Sequence, residues 1–501
     1  MGAALLALAG LRFHTADEPL ERDLTLYAVM GHELLLGEVL YAGVWDHKPP
    51  AIYAVYAWAE ALVGFGPSSV LLLNLLGNAL VLAGLVRCAQ EWGGVRAAAV
   101  AAVVWGVVSG EIALQANQPN AELFMNAGLV WTFALFLRPP ALDGKAAVRL
   151  GMLVAFTSLF KMVTVAFAVI VGLGWWLLAV GEERSARFRF LVQGAAAAAG
   201  AWGFVALGFV LAGAGTDFWD AVVVYNRSYS GGLGTNFWAS LTPTHVWPYG
   251  AGALVPLFVA LFFAIGALWT AGGEAAAKAL LLALYALSAQ LMVALPGQWF
   301  PHYYQLWLPV LALGVAWSAA WCFARFEGVG HLAAPLVVTA LLAWPAVRYV
   351  DGLQTPPDDW SRAKYGDLFV ASRDAGEFLA GVLGPNERFQ NWGNESGLYF
   401  YARRRPASGL AFIYPLLEGP LRAPLDQRLA SDLEARDPAL LVLTRGREMS
   451  FFNNKASYGW FEARDFVELT GPRPAFFRYY VQRESPLYDR FGAAMREQAK
   501  R

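Results

Sequence analysis

The chain has 501 residues, of which 57% are hydrophobic and 15% charged, against roughly 45–50% and about 25% in soluble globular proteins. That balance excludes an ordinary soluble enzyme and reads as a polytopic α-helical membrane protein. A net charge of −1 excludes nucleic acid as a partner, because phosphate binding needs a concentrated basic surface. Cys88 and Cys322 fall at the ends of apolar segments without C-x-x-C spacing, so neither a structural disulfide nor a cysteine metal site is expected.

The opening run MGAALLALAGLRF lacks the basic region of a cleaved signal and reads as a first transmembrane helix. At about 13 residues it is shorter than the ~20 a span needs, so either it tilts and thins the bilayer or the true start lies upstream of Met1. Ten further apolar runs follow, at 68–88, 95–110, 119–138, 147–160, 162–181, 189–213, 246–271, 278–295, 303–323 and 331–349, giving eleven expected spans. The stretch 50–64 is also apolar but ends at Gly64, Gly66 and Pro67 after barely four turns, and reads as a juxtamembrane or re-entrant helix.

The charge distribution supports that choice, since cytoplasmic loops collect Lys and Arg. With 50–64 not crossing, Arg87, Arg96, Arg138, Lys145, Arg184, Arg187 and Lys278 fall on one side, while the opposite loops hold Arg22, Lys48, Lys161 and Arg227. The N-terminus is then expected in the cytoplasm, in a bacterial inner (plasma) membrane. The acidic segment 14–49, the turn 109–122, the loop 216–232 and the link 296–304 face outward. From about 350 hydropathy falls, and 350–501 is expected as a small exoplasmic α/β domain: helices at 367–383 and 395–404, strands at 388–393 and 439–446, and some parallel pairing. The expected division is therefore 1–349 for the membrane domain, with 14–67 as its first exoplasmic loop, and 350–501 for the soluble one.

Candidate chemistry gathers on the outward face. Asp17 follows the first helix, where a partly desolvated carboxylate is suited to accept a proton from a hydroxyl; with Glu18 it can equally cap the helix expected over 20–36. Lys48 precedes Pro49 and Pro50, which stiffen the start of the next helix, so an anion there would meet the ammonium and free backbone N–H groups together. The competing reading is a snorkelling lysine, with Asp46 and His47 orienting it. Lys161 sits at the expected outer apex of the 147–181 hairpin, either snorkelling or touching phosphate. Asn120 and Glu122 open the 119–138 span as caps or as contacts to a substrate hydroxyl. Arg227 in YNRSY and His302 in PHYYQ are flanked by aromatics, as interfacial anchors or as phosphate or sugar contacts.

Taken together, Asp17-Glu18, then LTLYAVMGHELLLGEVLY, then DHKPPAIYAVYAWAEALVGFG resemble the first exoplasmic loop of the GT-C fold glycosyltransferases of the protein O-mannosyltransferase, ArnT and Rgt-like (glycosyltransferase family 39-like) group. The later NAELFM, SLFKMVTV and HYYQLWLP resemble that group's signatures, and the likeness covers about 1–349. The resemblance implies a GT-C-like bundle of about 11 transmembrane helices with juxtamembrane helices. It implies inverting transfer of a hexosyl or pentosyl group from a polyprenyl-phosphate carrier to a hydroxyl of a cell-envelope glycan, lipid or protein. Asp17 would be the catalytic base, Glu18 would support it or lie near the acceptor, and Lys48 would face the carrier phosphate. It fixes no role for Lys161, Arg227 or His302, and implies neither a divalent metal nor another cofactor. Pro19 after the acid pair and the absence of a threefold repeat in 350–501 depart from the mannosyltransferase pattern and weaken protein as acceptor.

The expected function is thus a membrane glycosyltransferase, mannosyltransferase-like, whose partners are the polyprenyl-phosphate sugar, an acceptor and membrane lipids, with a monomer as the simplest state. The alternative is a transporter or flippase of lipid-linked sugars. Such proteins commonly show two related halves with Gly- or Pro-broken helices and a charge near mid-membrane; here the ionisable residues collect at one face.

Overall fold

A computed structural model of the chain describes residues 2–138, 141–251, 253–325, 330–469 and 476–498. It divides into two compact units: Met1–Ala16, Leu71–Leu207 and Ser230–Thr355 form one, and Asp17–Val70, Gly208–Tyr229 and Pro356–Arg501 the other. The contacts thus group the chain differently from an expected cut near 349. The first loop falls with the C-terminal residues through backbone hydrogen bonds such as Trp45 N–H to the Gly409 carbonyl, and the 208–229 segment joins them through ring contacts, Phe209 and Phe218 on Tyr41 and Tyr229 on Tyr414.

The first unit is helical. Among the described residues, five helices are long and apolar enough to cross a membrane: Pro67–Val108, Gly181–Leu211, Gly273–Ala294, Pro301–Arg325 and Ala334–Leu353. The pair Pro243–Ala251 and Val255–Ala271, bent by 96°, counts as at most one more. Against the eleven expected spans, five or six helices of full membrane length thus stand among the described residues, and the shorter apolar helices Gly2–Phe13, Ala121–Leu137 and Met162–Leu177 stand at three more of the expected positions. The runs 68–88 and 95–110 share one 42-residue helix with a single non-helical residue at Gly94 (φ 59°). Ala121–Leu137 has 17 residues, or about 26 Å at ~1.5 Å per residue, short of a hydrocarbon core of about 30 Å. The core of this unit is lined by Leu308–Arg325, buried from Leu308 to Ala320, and by the packed rings of Phe133, Phe167 and Tyr285, whose centroids lie 4.8–5.0 Å apart where they meet Tyr285.

The second unit contains a mixed four-stranded sheet of β1 (Gln390–Trp392), β2 (Leu440–Thr444), β3 (Phe466–Leu469) and β4 (Phe477–Gln482), in the order β1-β2-β4-β3. β1 runs parallel to β2, with Gln390 opposite Leu441. β4 runs antiparallel to both its neighbours, with Tyr480 opposite Leu441 and Val481 opposite Val467. β2, LLVLT, is buried throughout, as a continuous apolar run requires when both faces of a strand are covered. Helices Leu368–Val382, Gly397–Ala402 and Arg422–Arg436 complete the layer.

Two more helices of this unit, Arg22–Leu35 and Ala51–Val63, pack on each other so closely that a Cβ at Gly31 would lie 2.8 Å from the Ala57 nitrogen. The C-terminal segment holds the start of the first of them through its backbone. The Ser361 hydroxyl donates to the Pro19 carbonyl at 3.2 Å, the Leu20 N–H to the Tyr401 oxygen at 2.9 Å, and the Ser396 hydroxyl to the Arg22 carbonyl at 2.7 Å.

Candidate functional site

The second unit presents a carboxylate and a lysine side by side. Asp23 lies in the first turn of Arg22–Leu35, and Lys48 closes the loop before Pro49, Pro50 and helix Ala51–Val63. The Lys48 Nζ stands 3.3 Å from Asp23 Oδ2 and 4.9 Å from the Tyr27 ring centroid, and the Tyr27 hydroxyl donates to the same Asp23 oxygen at 3.2 Å. Helical spacing explains the last contact, since residues four apart share a face. Both charged side chains are largely covered but reachable, 14% exposed for Lys48 and 22% for Asp23.

The loop leading to Lys48 is fixed by a buried acid. Asp46 accepts from the His47 backbone N–H at 2.6 Å and from the Tyr53 hydroxyl, and its Oδ1 lies 2.8 Å from His47 Nδ1. Burial opposes ionisation of Asp46, but the charges of His47 and Lys48 and these hydrogen bonds outweigh it and hold the carboxyl well below the usual range. The Asn226 amide donates to the His47 carbonyl at 2.5 Å, and the His47 ring lies 5.0 Å from that of Tyr225 and 5.1 Å from that of Tyr229.

Glu21, just before Asp23, is buried. Its pKa is pushed up to about 8, first by burial and then by the Asp23 charge, with Arg22 and Lys48 opposing. Between about pH 4.5 and 8 the folded chain therefore binds a proton that the unfolded chain has released, so stability falls as pH rises through that window. Glu21→Gln removes the penalty: its apparent Tm in detergent is expected to match the wild type near pH 4.5 and to exceed it at pH 8.5. A gap that stays constant with pH would show that Glu21 is not the titrating group.

Asp17 and Glu18 stand elsewhere in this unit. Asp17 is exposed. With Glu18, Gly66, Pro67, Arg373, Glu377, Phe400, Tyr401 and Arg403 it lines a pocket of about 460 Å³ that does not include Lys48. Glu18 is buried and ion-paired with the equally buried Lys364. Burial pulls the Lys364 ammonium toward neutrality, and Glu18 and Glu21 offset part of that. The carboxylate beside Lys48 is thus Asp23, while Asp17 and Glu18, expected to share a site with Lys48, lie before an extended stretch that leads to the helix start. Arg227 is exposed, one residue from the Asn226 that holds His47.

The other four expected residues meet in the first unit. Asn120 caps Ala121–Leu137, its Oδ1 accepting from the Ala121 N–H at 2.7 Å. The buried Glu122 accepts from Lys161 Nζ at 3.1 Å, and Lys161 lies 3.4 Å from the Tyr303 ring centroid. His302 packs edge-on against Tyr303 at 4.9 Å and places Nδ1 3.3 Å from Gln115 Oε1. No group of three or more His, Cys, Asp or Glu side chains suited to a metal occurs among the described residues. Sequence reasoning missed Asp23, Glu21 and Lys364. The signal for Asp23 was its four-residue spacing from Tyr27.

The chain has the GT-C fold, as its likeness to solved structures shows. No family model and no curated protein matches the sequence significantly. Solved structures carry the likeness. ArnT from Cupriavidus metallidurans in the apo state is 16% identical with a TM-score of 0.58, covering 95% of this chain and 96% of that one. The same protein bound to undecaprenyl phosphate gives 16% and 0.55, over 96% and 98%. The archaeal oligosaccharyltransferase AglB from Archaeoglobus fulgidus, in complex with an inhibitory peptide and a dolichol-phosphate, gives 12% and 0.55, over 98% of this chain and 77% of that one. At such identities the likeness is one of fold.

Proposed function

We propose that the chain is an inverting glycosyltransferase that moves a sugar from a polyprenyl-phosphate carrier to a hydroxyl acceptor at the exoplasmic membrane face. The observation that carries this reading is the Asp23–Lys48 pair, 3.3 Å apart and half-sheltered beneath Tyr27. ArnT bound to undecaprenyl phosphate and AglB with dolichol-phosphate, which share the fold, support a carrier of that class.

In the free protein Asp23 and Lys48 neutralise each other. A carrier phosphate arriving at Lys48 competes for the ammonium and releases the carboxylate to act as base. The acceptor oxygen then attacks the anomeric carbon from the face opposite the phosphate, and its proton passes to Asp23. The bond between the anomeric carbon and the phosphate oxygen breaks, and its electron pair leaves on the carrier phosphate, where Lys48 stabilises the growing charge. The geometry favours Asp23 over Asp17 for the base, and Glu18, locked to Lys364, becomes structural. Lys161, with Glu122, Asn120 and His302 around it, and Arg227 are proposed as further substrate contacts, each within its own unit.

Lys48→Ala tests the assignment. With purified protein and a titrated polyprenyl-phosphate sugar, the donor KM is expected to rise about tenfold or more and kcat to fall about 10²–10³-fold, the size of losing one preorganised charge contact in a transition state. An unchanged dependence of rate on donor concentration would reduce Lys48 to a snorkelling lysine. Mass spectrometry of envelope glycans from a deletion strain would identify the transferred sugar.

A further inference from the structure

We infer that Tyr41 and Arg428 are positioning residues for Lys48, acting through a relay of hydrogen bonds that ends on the Lys48 carbonyl. The inference rests on the reading of Lys48 given above.

The relay starts from a backbone conformation that needs a reason. Tyr41 is fully buried and adopts φ +69°, in the left-handed region that a bulky residue avoids. Such strain persists only where the surroundings over-determine it, and it concentrates at functional sites. Here the surroundings are explicit. The Tyr41 N–H donates to the Val44 carbonyl at 2.6 Å, and its ring packs against Phe209 and Phe218 at 5.2 and 5.7 Å. Arg428, from helix Arg422–Arg436, donates to the Tyr41 carbonyl at 2.7 Å and to the Ala42 carbonyl. The C-terminal segment also presses on the same turn at Gly409. The Trp45 N–H donates to the Gly409 carbonyl at 3.0 Å, and a Cβ at Gly409 would fall 2.0 Å from the Gly43 oxygen.

This turn delivers one hydrogen bond outward: the Tyr41 hydroxyl donates to the Lys48 carbonyl at 2.8 Å. The bond matters because two prolines come next in the chain. Pro49 and Pro50 fix their own φ and bias the backbone of the residue before them away from the helical region. With that side rigid, the orientation of the peptide plane after Lys48 is the remaining freedom at this residue, and Tyr41 holds it. Asp46 and Tyr53 secure the loop from the other side. The direction in which the ammonium leaves the backbone toward Asp23 is therefore set from helix Arg422–Arg436.

Three variants test this with undecaprenyl phosphate alone as the probe, titrated against the full-length protein in detergent. Tyr41→Phe keeps the ring stack and loses only the relay bond; it is expected to weaken binding roughly 5–20-fold, the size of one hydrogen bond lost beside a charged contact, with the apparent Tm nearly unchanged. Arg428→Gln should weaken binding at least as much, and Arg428→Lys should recover part of the loss. In a Lys48→Ala background neither Tyr41→Phe nor Arg428→Gln should weaken binding further, because a positioning residue has nothing left to position. An equal loss in both backgrounds, or unaltered binding by Tyr41→Phe where Lys48→Ala itself weakens binding, overturns the relay. A second readout is independent of carrier binding: the rate at which an amine-reactive reagent labels Lys48, followed by mass spectrometry. Tyr41→Phe should raise it several-fold while Lys145 and Lys278 label as before, and an unchanged Lys48 rate overturns the relay. Wild-type affinity in Lys48→Ala with altered Lys48 labelling in Tyr41→Phe would keep the relay and reject the carrier-binding role.

Discussion

Asp23→Asn is expected to lower sugar transfer by about 10²–10⁴-fold, the contribution of a positioned general base, while the protein still folds and binds carrier. The amide keeps the shape of the side chain and can still accept from the Tyr27 hydroxyl, which lies 3.2 Å away in the wild type. It cannot take the acceptor proton. Asp17→Asn, altering an exposed residue in the wall of a separate pocket, should stay within about twofold of wild type, as surface substitutions usually do. The two variants measured side by side decide the base. Inactivity of the Asp17 variant with full activity of the Asp23 variant would return the role to Asp17.

Lys364→Met is expected to be the most destabilising single change. Its ammonium and the Glu18 carboxylate are 0% and 1% exposed, so removing the lysine strands a carboxylate in a desolvated site. Breaking such a pair costs about 3–5 kcal/mol, whereas replacing both partners with groups of similar volume is often close to neutral. The double variant Glu18→Gln/Lys364→Met should therefore recover most of the loss in apparent Tm and retain transfer activity per folded molecule. A single variant with wild-type Tm would reopen Glu18 as an acceptor contact.

Features carried by local signals were legible in the sequence. The helix after Lys48 was marked by its two prolines and its end by Gly64. The break at Gly94 fell between two apolar runs, and the continuous apolar LLVLT announced a buried strand. The number of membrane-length helices was less legible, because hydropathy alone does not say whether 68–88 and 95–110 share an axis or whether 17 residues suffice to cross. β3 and β4 escaped notice because FVEL and FRYYVQ are mostly half-exposed and interrupted by charge. For the candidate site, Lys48 and the Glu122–Lys161 neighbourhood were visible as charges in unusual company. The carboxylate facing Lys48 was not. Asp17, Glu18, Glu21 and Asp23 are equivalent by composition, and the choice among them depends on a loop closure spanning 25 positions. The lysine that pairs with Glu18 lies further still, on helix Pro357–Tyr365, where no spacing rule reaches.

The hydrogen bond from Trp45 to Gly409 bears on when the protein becomes competent. Ribosomes release the first loop early, yet the residues that hold its turn are made only after everything between Val70 and Pro356. At 5–20 residues per second that delay is roughly 15–60 s. Until then Tyr41 has no Arg428 to sustain its left-handed backbone, and the Lys48 loop is free to sample other shapes. On the reading proposed above, nascent or prematurely terminated chains would lack the hydrogen bonds with Arg428 and Gly409 that hold the turn before Lys48, so carrier binding would wait on the C-terminal residues.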